Sequence, residues 1–222
     1  MIEHERTPAL PAARLPSFAR ESCIDWIEAT LSRVALGRSM LEFVRHNGVA
    51  SVLYPPGQGD TFHRAATIHV SMDSAWGAVF RYYHEGVHAR WYKEGRGPDP
   101  RVDSENSFVY GKLDEEAHVI AETCLLWVQY CDQGITPDER PAGVDLFMAG
   151  YRTEQEAALR ERRTFDAGAA YRKGLIQIQV AMPRAITVER ELYADYYRAQ
   201  YRSFHELLAA GGRSAPRDEL TA

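Results

Sequence analysis

The stretch "AWGAVFRYYHEGVHARWYKEG", residues 75–95, decides how the rest of the chain is interpreted. It contains no proline, and its large apolar residues recur at the spacing of one helical face: Trp76, Phe80, Tyr83, Val87 and Trp91. Asp73 or Ser74 stands directly before it, where a helix N-cap is expected. The pattern therefore predicts an amphipathic helix that buries one stripe.

His84 and His88 lie four residues apart on this helix, and Glu85 follows the first histidine. Residues at this spacing stand one above the other, so both imidazoles can reach one ion, as zinc with nitrogen ligands at about 2.0–2.1 Å requires. Glu85 is the next residue after His84, so its side chain points to one side of the two histidines. From there it can act as a general base toward an attacking water. The pattern predicts a zinc site with Glu85 as its catalytic residue. Two surface histidines that share a helical face are the simpler alternative.

The segments on either side of this helix predict an α+β fold that is mostly helical, with a small β-sheet before the helix. Upstream, residues 22–48 have helical spacing, "VASVLY" (49–54) and "AATIHVSM" (65–72) favour strands, and "PPGQGD" (55–60) is a loop. Downstream, a loop at 94–107 precedes the helical "KLDEEAHVIAETCLLWVQYCDQG" (112–134), and further helices are predicted around 144–181 and 185–210.

The chain is expected to form a single domain over residues 17–210, with a core at about 30–130 and a helical part at 140–210. Residues 1–16 are predicted to be a flexible arm, and residues 211–222, "GGRSAPRDELTA", a disordered tail.

A catalytic zinc needs a third protein ligand beside an open position for water. On the helix at 112–134, one flank of the apolar stripe gathers Asp114, Glu115, His118 and Glu122, whereas Glu116 and Thr123 fall on the other flank. His118 is the predicted third ligand, oriented by Glu122 or Asp114. Glu115 and Asp114 are the alternative ligands.

The HEGVH core resembles the zincin metallopeptidases, and the order of helix, strand, HExxH helix and acidic helix is similar to the gluzincins. "GRSMLEFVRHNGVASVLY" (37–54) followed by "TIHV" (67–70) is similar to small bacterial effector-type and toxin-associated metallopeptidases. The resemblance covers about residues 30–128. It implies a zincin-like domain that hydrolyses a peptide bond, with His84 and His88 as zinc ligands and Glu85 as general base.

The same resemblance implies that the third ligand comes from "DEEAH" (114–118), since gluzincins use a glutamate on the later helix. The usual Glu-x-x-Ala pattern is altered here, because the nearest registers begin with Asp114 and His118. A tyrosine or histidine often stabilises the oxyanion in zincins. The candidates for that role are Tyr110, Tyr197 and His205.

A second interpretation of the same residues is a redox enzyme with two iron ions. Glu85 with His88, and Glu115 with His118, both have the Glu-x-x-His spacing of carboxylate-bridged di-iron helical bundles. Such an oxidase or oxygenase needs two more carboxylates, for which the candidates are Glu154, Glu156, Glu189 and Glu191. A third interpretation is a catalytically inactive zincin-like scaffold that serves as a binding module.

Composition narrows the expected partners and location. A net charge of −5 offers no general basic field, so no nucleic-acid partner is expected. No apolar run reaches the ~18 residues of a membrane span, and the start resembles no classical signal peptide. The three cysteines are expected to be reduced thiols and not a set of disulfide bonds. We expect a cytoplasmic protein, or one exported without a classical signal, that acts on a protein or peptide substrate and that an inhibitory partner protein can control.

Overall fold

The computed structural model describes residues 20–59, 61–64, 67–187 and 190–210. Within them the chain forms α1 (Arg20–Leu31), α2 (Ala35–His46), β1 (Ala50–Tyr54), β2 (Phe62–Arg64), β3 (Thr67–Ser71), α3 (Ala75–Lys93), α4 (Glu105–Asp132), α5 (Val144–Glu161), α6 (Ala167–Ala181) and α7 (Tyr193–Ala209). The predicted α+β class, mostly helical with a small sheet before the histidine-bearing helix, is confirmed. The predicted arm (1–16) and tail (211–222) lie outside the described residues.

The sheet places β3 in its centre, directly before α3. β1 pairs with β3 in parallel, with Val52 opposite His69, and β2 pairs with β3 in antiparallel orientation. Ile68 and Val70 of β3 are fully buried, which is the alternation that predicted a half-buried strand. β2 has only three residues, too few for such a pattern, and was not predicted.

α3 begins where the sequence places its cap. The Ser74 hydroxyl accepts a hydrogen bond from the Gly77 N–H and satisfies one of the free donors of the first turn. Asp73, the other candidate cap, instead accepts a hydrogen bond from the Gly57 N–H. The strand β3 therefore leads into α3 through a capped turn that fixes where the helix starts.

α4 lies between two hydrophobic clusters and packs against α3, α6 and α7. The first cluster, built mainly from α1–α3 and the sheet, takes Val119, Leu126 and Tyr130 from α4. The second, built mainly with α5–α7, takes Phe108, Leu113, Ala117, Ala121, Cys124 and Val128. The helix also starts at Glu105, capped by Ser104, and not at the predicted Lys112. It is thus buried on two sides along its length.

Two predicted helical segments are shorter or broken in the structure. Residues 22–48 divide at a turn after Leu31, where α2 approaches α1 so closely that a Cβ on Gly37 would lie 2.1 Å from the Leu31 carbonyl oxygen. The segment predicted as helix from 185 becomes helical only at Tyr193, because Ile186 and Leu192 form an antiparallel bridge instead. The described helices include no candidate for a membrane-spanning segment.

Candidate metal centre

Three potential ligands meet where α3 lies beside α4. His84 and His88 of α3 and Glu116 of α4 each offer one atom, and these atoms lie within 4.8 Å of one another. Glu116 Oε1 is 3.5 Å from His84 Nε2, and Glu116 Oε2 is 3.2 Å from His88 Nε2. Among the described residues this is the one such group of three or more.

The spacing of these atoms suits a tetrahedral zinc ion. Bonds of about 2.0–2.1 Å to nitrogen and oxygen place neighbouring ligand atoms about 3.3–3.5 Å apart. The two histidine–carboxylate separations, 3.5 Å to Glu116 Oε1 and 3.2 Å to Glu116 Oε2, are of that size, with each histidine facing a different oxygen of the carboxylate. The His84 side chain keeps 25% of its surface exposed, so one side of the group faces solvent. Two imidazoles, one carboxylate and an accessible side could hold a metal ion, and zinc is among the ions that such donors bind.

Glu115 binds the other nitrogen of His88. Its Oε1 lies 2.8 Å from His88 Nδ1, and its Oε2 lies 3.0 Å from Lys112 Nζ. Glu115 was an alternative third ligand in the sequence-based interpretation. In the structure it takes the position of the carboxylate that orients a metal-binding histidine through the ring nitrogen that faces away from the metal.

His118, the predicted third ligand, does not belong to the group. Its ring lies against Trp91, with centroids 5.3 Å apart, and its Nε2 is 3.9 Å from Asp114 Oδ2. Asp114, the remaining alternative, accepts a hydrogen bond from Gln179 of α6. The structure therefore corrects the predicted arrangement: the flank of α4 that faces the histidines carries Glu115 and Glu116, not His118 and Asp114.

Glu122 was predicted to orient His118, but it pairs with other residues. Its Oε2 is 2.5 Å from Arg90 Nη2 on α3 and 3.5 Å from the hydroxyl of the fully buried Tyr83. This ion pair joins α3 to α4.

Glu85 and two tyrosines of α7 complete the surroundings. Glu85 is buried, with 8% of its surface exposed. The Tyr197 hydroxyl donates to Glu116 Oε2 at 3.4 Å. Burial, and then the negative charges of Glu116 and Glu85, raise the pKa of the half-buried Tyr193. α7 therefore brings the Tyr197 phenol into contact with Glu116, and the phenols of Tyr193 and Tyr197 stay protonated.

Of the three residues considered for an oxyanion role, only Tyr197 contacts the group. Tyr110 is 69% exposed. His205 Nε2 lies 2.9 Å from the Pro100 carbonyl oxygen, which ties α7 to the loop after α3.

The charges of the centre favour a bound cation. Burial lowers the pKa of His84 to about 4. Burial also opposes a charge on His88, but hydrogen bonds to Glu115 and Glu116 outweigh it and raise the pKa of His88 to about 10. Two buried carboxylates thus hold a proton on the His88 imidazole, although the Lys112 ammonium already pairs with one of them. A metal ion can replace that proton and satisfy the same two carboxylates.

Among the described residues, none of the further carboxylates considered for a di-iron site joins a group of three or more potential ligands. Glu154 is buried between Arg163 and Lys173, at 2.5 and 2.8 Å, and Glu156 is exposed. Glu189 lies outside the described residues, and the Glu191 carbonyl accepts a backbone hydrogen bond from Thr187.

Comparison with protein-family models, curated proteins and solved structures finds no match for this chain.

Proposed function

We propose that the chain is a zinc-dependent hydrolase of peptide bonds in a protein or peptide substrate. The observation that carries the proposal is the approach of Glu116 to His84 and His88, which turns two histidines on one helix into a set of three potential ligands. The HExxH order supports a peptidase, because it puts a glutamate directly beside the first histidine.

In this proposal, His84, His88 and Glu116 hold the ion, and the solvent-facing side beside His84 admits substrate and water. Bound zinc supplies a Lewis acid that makes water nucleophilic near neutral pH. Glu115 holds His88 through Nδ1, so that Nε2 faces Glu116.

Glu85 is the proposed general base. It takes a proton from the water as the oxygen of that water attacks the peptide carbonyl carbon, and it gives the proton to the amine nitrogen as the carbon–nitrogen bond breaks. Tyr197 keeps its proton, because burial and the charge of Glu116 raise its pKa. Its hydroxyl lies beside the ligand carboxylate and can donate to the oxygen that becomes negative during attack.

Loading metal-free protein with one equivalent of zinc and assaying a quenched fluorescent peptide library tests the proposal. Glu85→Gln is expected to keep the fold and the zinc but to lower kcat by about 10²–10⁴-fold, since an amide cannot accept the proton. Glu94→Gln, an exposed glutamate at the C-terminal end of the same helix, is the matched control and should leave kcat unchanged.

Elemental analysis of the purified protein separates the alternatives. The proposal expects one zinc per chain, removed by His84→Ala. Two irons per chain would indicate the oxidase interpretation. A protein that binds zinc but cleaves no peptide, or one in which Glu85→Gln retains full activity, would contradict the peptidase proposal.

A further inference from the structure

Lys112 is a largely enclosed lysine that no step of the proposed reaction uses. It precedes Glu115 by one turn of α4, and its side chain is only 12% exposed. The Lys112 Nζ lies 3.0 Å from Glu115 Oε2, and the Glu115 side chain is 5% exposed. Lysine side chains are rarely buried unless they are paired. The enclosed ammonium group of Lys112 therefore depends on its pairing with Glu115, which raises the question of what this pair does for the site.

The loop between α3 and α4 covers this ion pair. Pro98 packs on Gly111 so closely that a Cβ on residue 111 would lie 2.9 Å from the Pro98 Cβ. A Cβ on Gly97 would lie 3.4 Å from Glu115 Oε2. The loop thus lies directly against the Lys112–Glu115 pair and limits the exposure of both side chains to water.

The two oxygens of Glu115 have different partners. Oε1 is 2.8 Å from His88 Nδ1, whereas Oε2 is 3.0 Å from Lys112 Nζ. A carboxylate held at one oxygen can still rotate about its terminal bond, but one held at both oxygens has a fixed plane. A fixed plane keeps Oε1 directed at Nδ1, and this selects the ring tautomer and orientation in which His88 Nε2 faces Glu116.

We propose that Lys112 is a positioning residue of the metal centre, which acts through Glu115 to hold the His88 ring with Nε2 toward the ion. This inference rests on the proposed zinc site. The simpler role is that Lys112 only offsets the charge of a buried glutamate. Both roles predict a lower stability when the ammonium is removed. Only the positioning role predicts that zinc affinity also falls in protein that remains folded.

Zinc titration against a competing chelator distinguishes the two roles. Lys112→Met is expected to weaken zinc binding by about 10–100-fold, the usual effect of losing a group that orients a ligand. Lys112→Arg retains a cation that can donate to Glu115, and it should restore most of the affinity. Circular dichroism of each metal-free variant verifies that the protein is folded under the titration conditions.

Lys173→Met is the matched control. Lys173 also pairs with a buried glutamate, since its Nζ is 2.8 Å from Glu154 Oε2 and the Glu154 side chain is 3% exposed. That pair joins α5 to α6 and has no contact with the metal ligands. The control should lose stability and keep the zinc affinity of the wild type.

Four results overturn the inference. Wild-type zinc affinity in Lys112→Met would leave Lys112 with a purely structural role, and equal losses in Lys112→Met and Lys173→Met would have the same meaning. A wild-type protein that binds no zinc would overturn the proposed function together with this inference. If Lys112→Met does not fold, Lys112→Gln is titrated instead; a partial loss of zinc affinity is expected, and an unchanged affinity overturns the inference.

Discussion

His88 Nε2 lies 3.2 Å from Glu116 Oε2 across the interface between α3 and α4. The two residues are far apart in sequence, and neither helix alone holds more than part of a metal site. Their approach, with His84 as the third member, is the relationship on which the proposed chemistry depends.

The first prediction ranks the candidate ligands on α4. Glu116→Ala removes one of three ligands, so stoichiometric zinc binding should be lost at micromolar protein concentration. His118→Ala should leave zinc affinity nearly unchanged, because His118 lies against Trp91 and outside the ligand group. Chelator competition on both variants measures the difference. A larger loss in His118→Ala than in Glu116→Ala would show that the ion binds elsewhere.

The second prediction concerns the Tyr197 hydroxyl. Tyr197→Phe keeps the buried ring, and so the fold should persist, but kcat should fall by about 10²–10³-fold with little change in KM. Tyr201→Phe is the control, since its hydroxyl donates to the Asp103 carbonyl oxygen and not to the ligand group. Steady-state kinetics of the zinc-loaded proteins test this, and equal kcat values for the two variants would remove Tyr197 from the mechanism.

The third prediction concerns stability in acid. Hydrogen bonds from Arg163 and then Lys173 lower the pKa of Glu154 to about 2. A carboxylate with a lowered folded-state pKa stabilises the fold above its unfolded pKa, and this contribution disappears as the pH falls toward the folded value. The wild type should therefore exceed Glu154→Gln in Tm at pH 6, and the difference should shrink between about pH 5 and pH 2. Thermal melts of both proteins across this pH range test the prediction. A difference in Tm that is independent of pH would contradict the lowered pKa of Glu154.

The fourth prediction tests the packing of α5 on α6. A Cβ on Gly150 would lie 2.2 Å from the Lys173 carbonyl oxygen, so the two backbones would have to separate. Gly150→Ala should lower the free energy of unfolding by about 1–3 kcal/mol, even though alanine has a better helix propensity than glycine. Gly168→Ala, at an exposed position in the first turn of α6, should be nearly neutral in the same denaturant titration. Equal stability of the two variants would mean that the helices can adjust without cost.

Local sequence patterns predicted the part of the centre that α3 provides. The apolar spacing of residues 75–95 and the Ser74 cap are local signals, and they fixed the helix and thereby the mutual position of His84, Glu85 and His88. The class of the fold followed from similar patterns. The division of residues 22–48 and the late start of α7 depend on contacts between elements, which a helical periodicity does not encode.

The structure groups Glu116 with the two histidines, and not the predicted third ligand His118, for a physical reason. The prediction placed the polar residues of α4 relative to one apolar stripe, as is appropriate for a helix buried on one side. α4 is buried on two sides, because it contributes to both hydrophobic clusters, and Glu115 and Glu116 are both almost fully buried near the histidines. Tyr197 was one of three candidates for the oxyanion role, and no local sequence signal distinguishes it from the other two. Its contact with Glu116 forms only when folding brings α7 to α4.

The position of α4 between the two clusters also determines when an ion can be acquired. His84 and His88 form a partial site as soon as α3 is helical, but Glu116 joins them only after α4 has docked, and α4 docks on both halves of the molecule. With the proposed zinc ion, the complete set of three ligands therefore exists only in protein whose α3 and α4 are packed together. Free zinc then stabilises that packed arrangement by mass action, so that separation of the two helices and loss of the ion are linked equilibria.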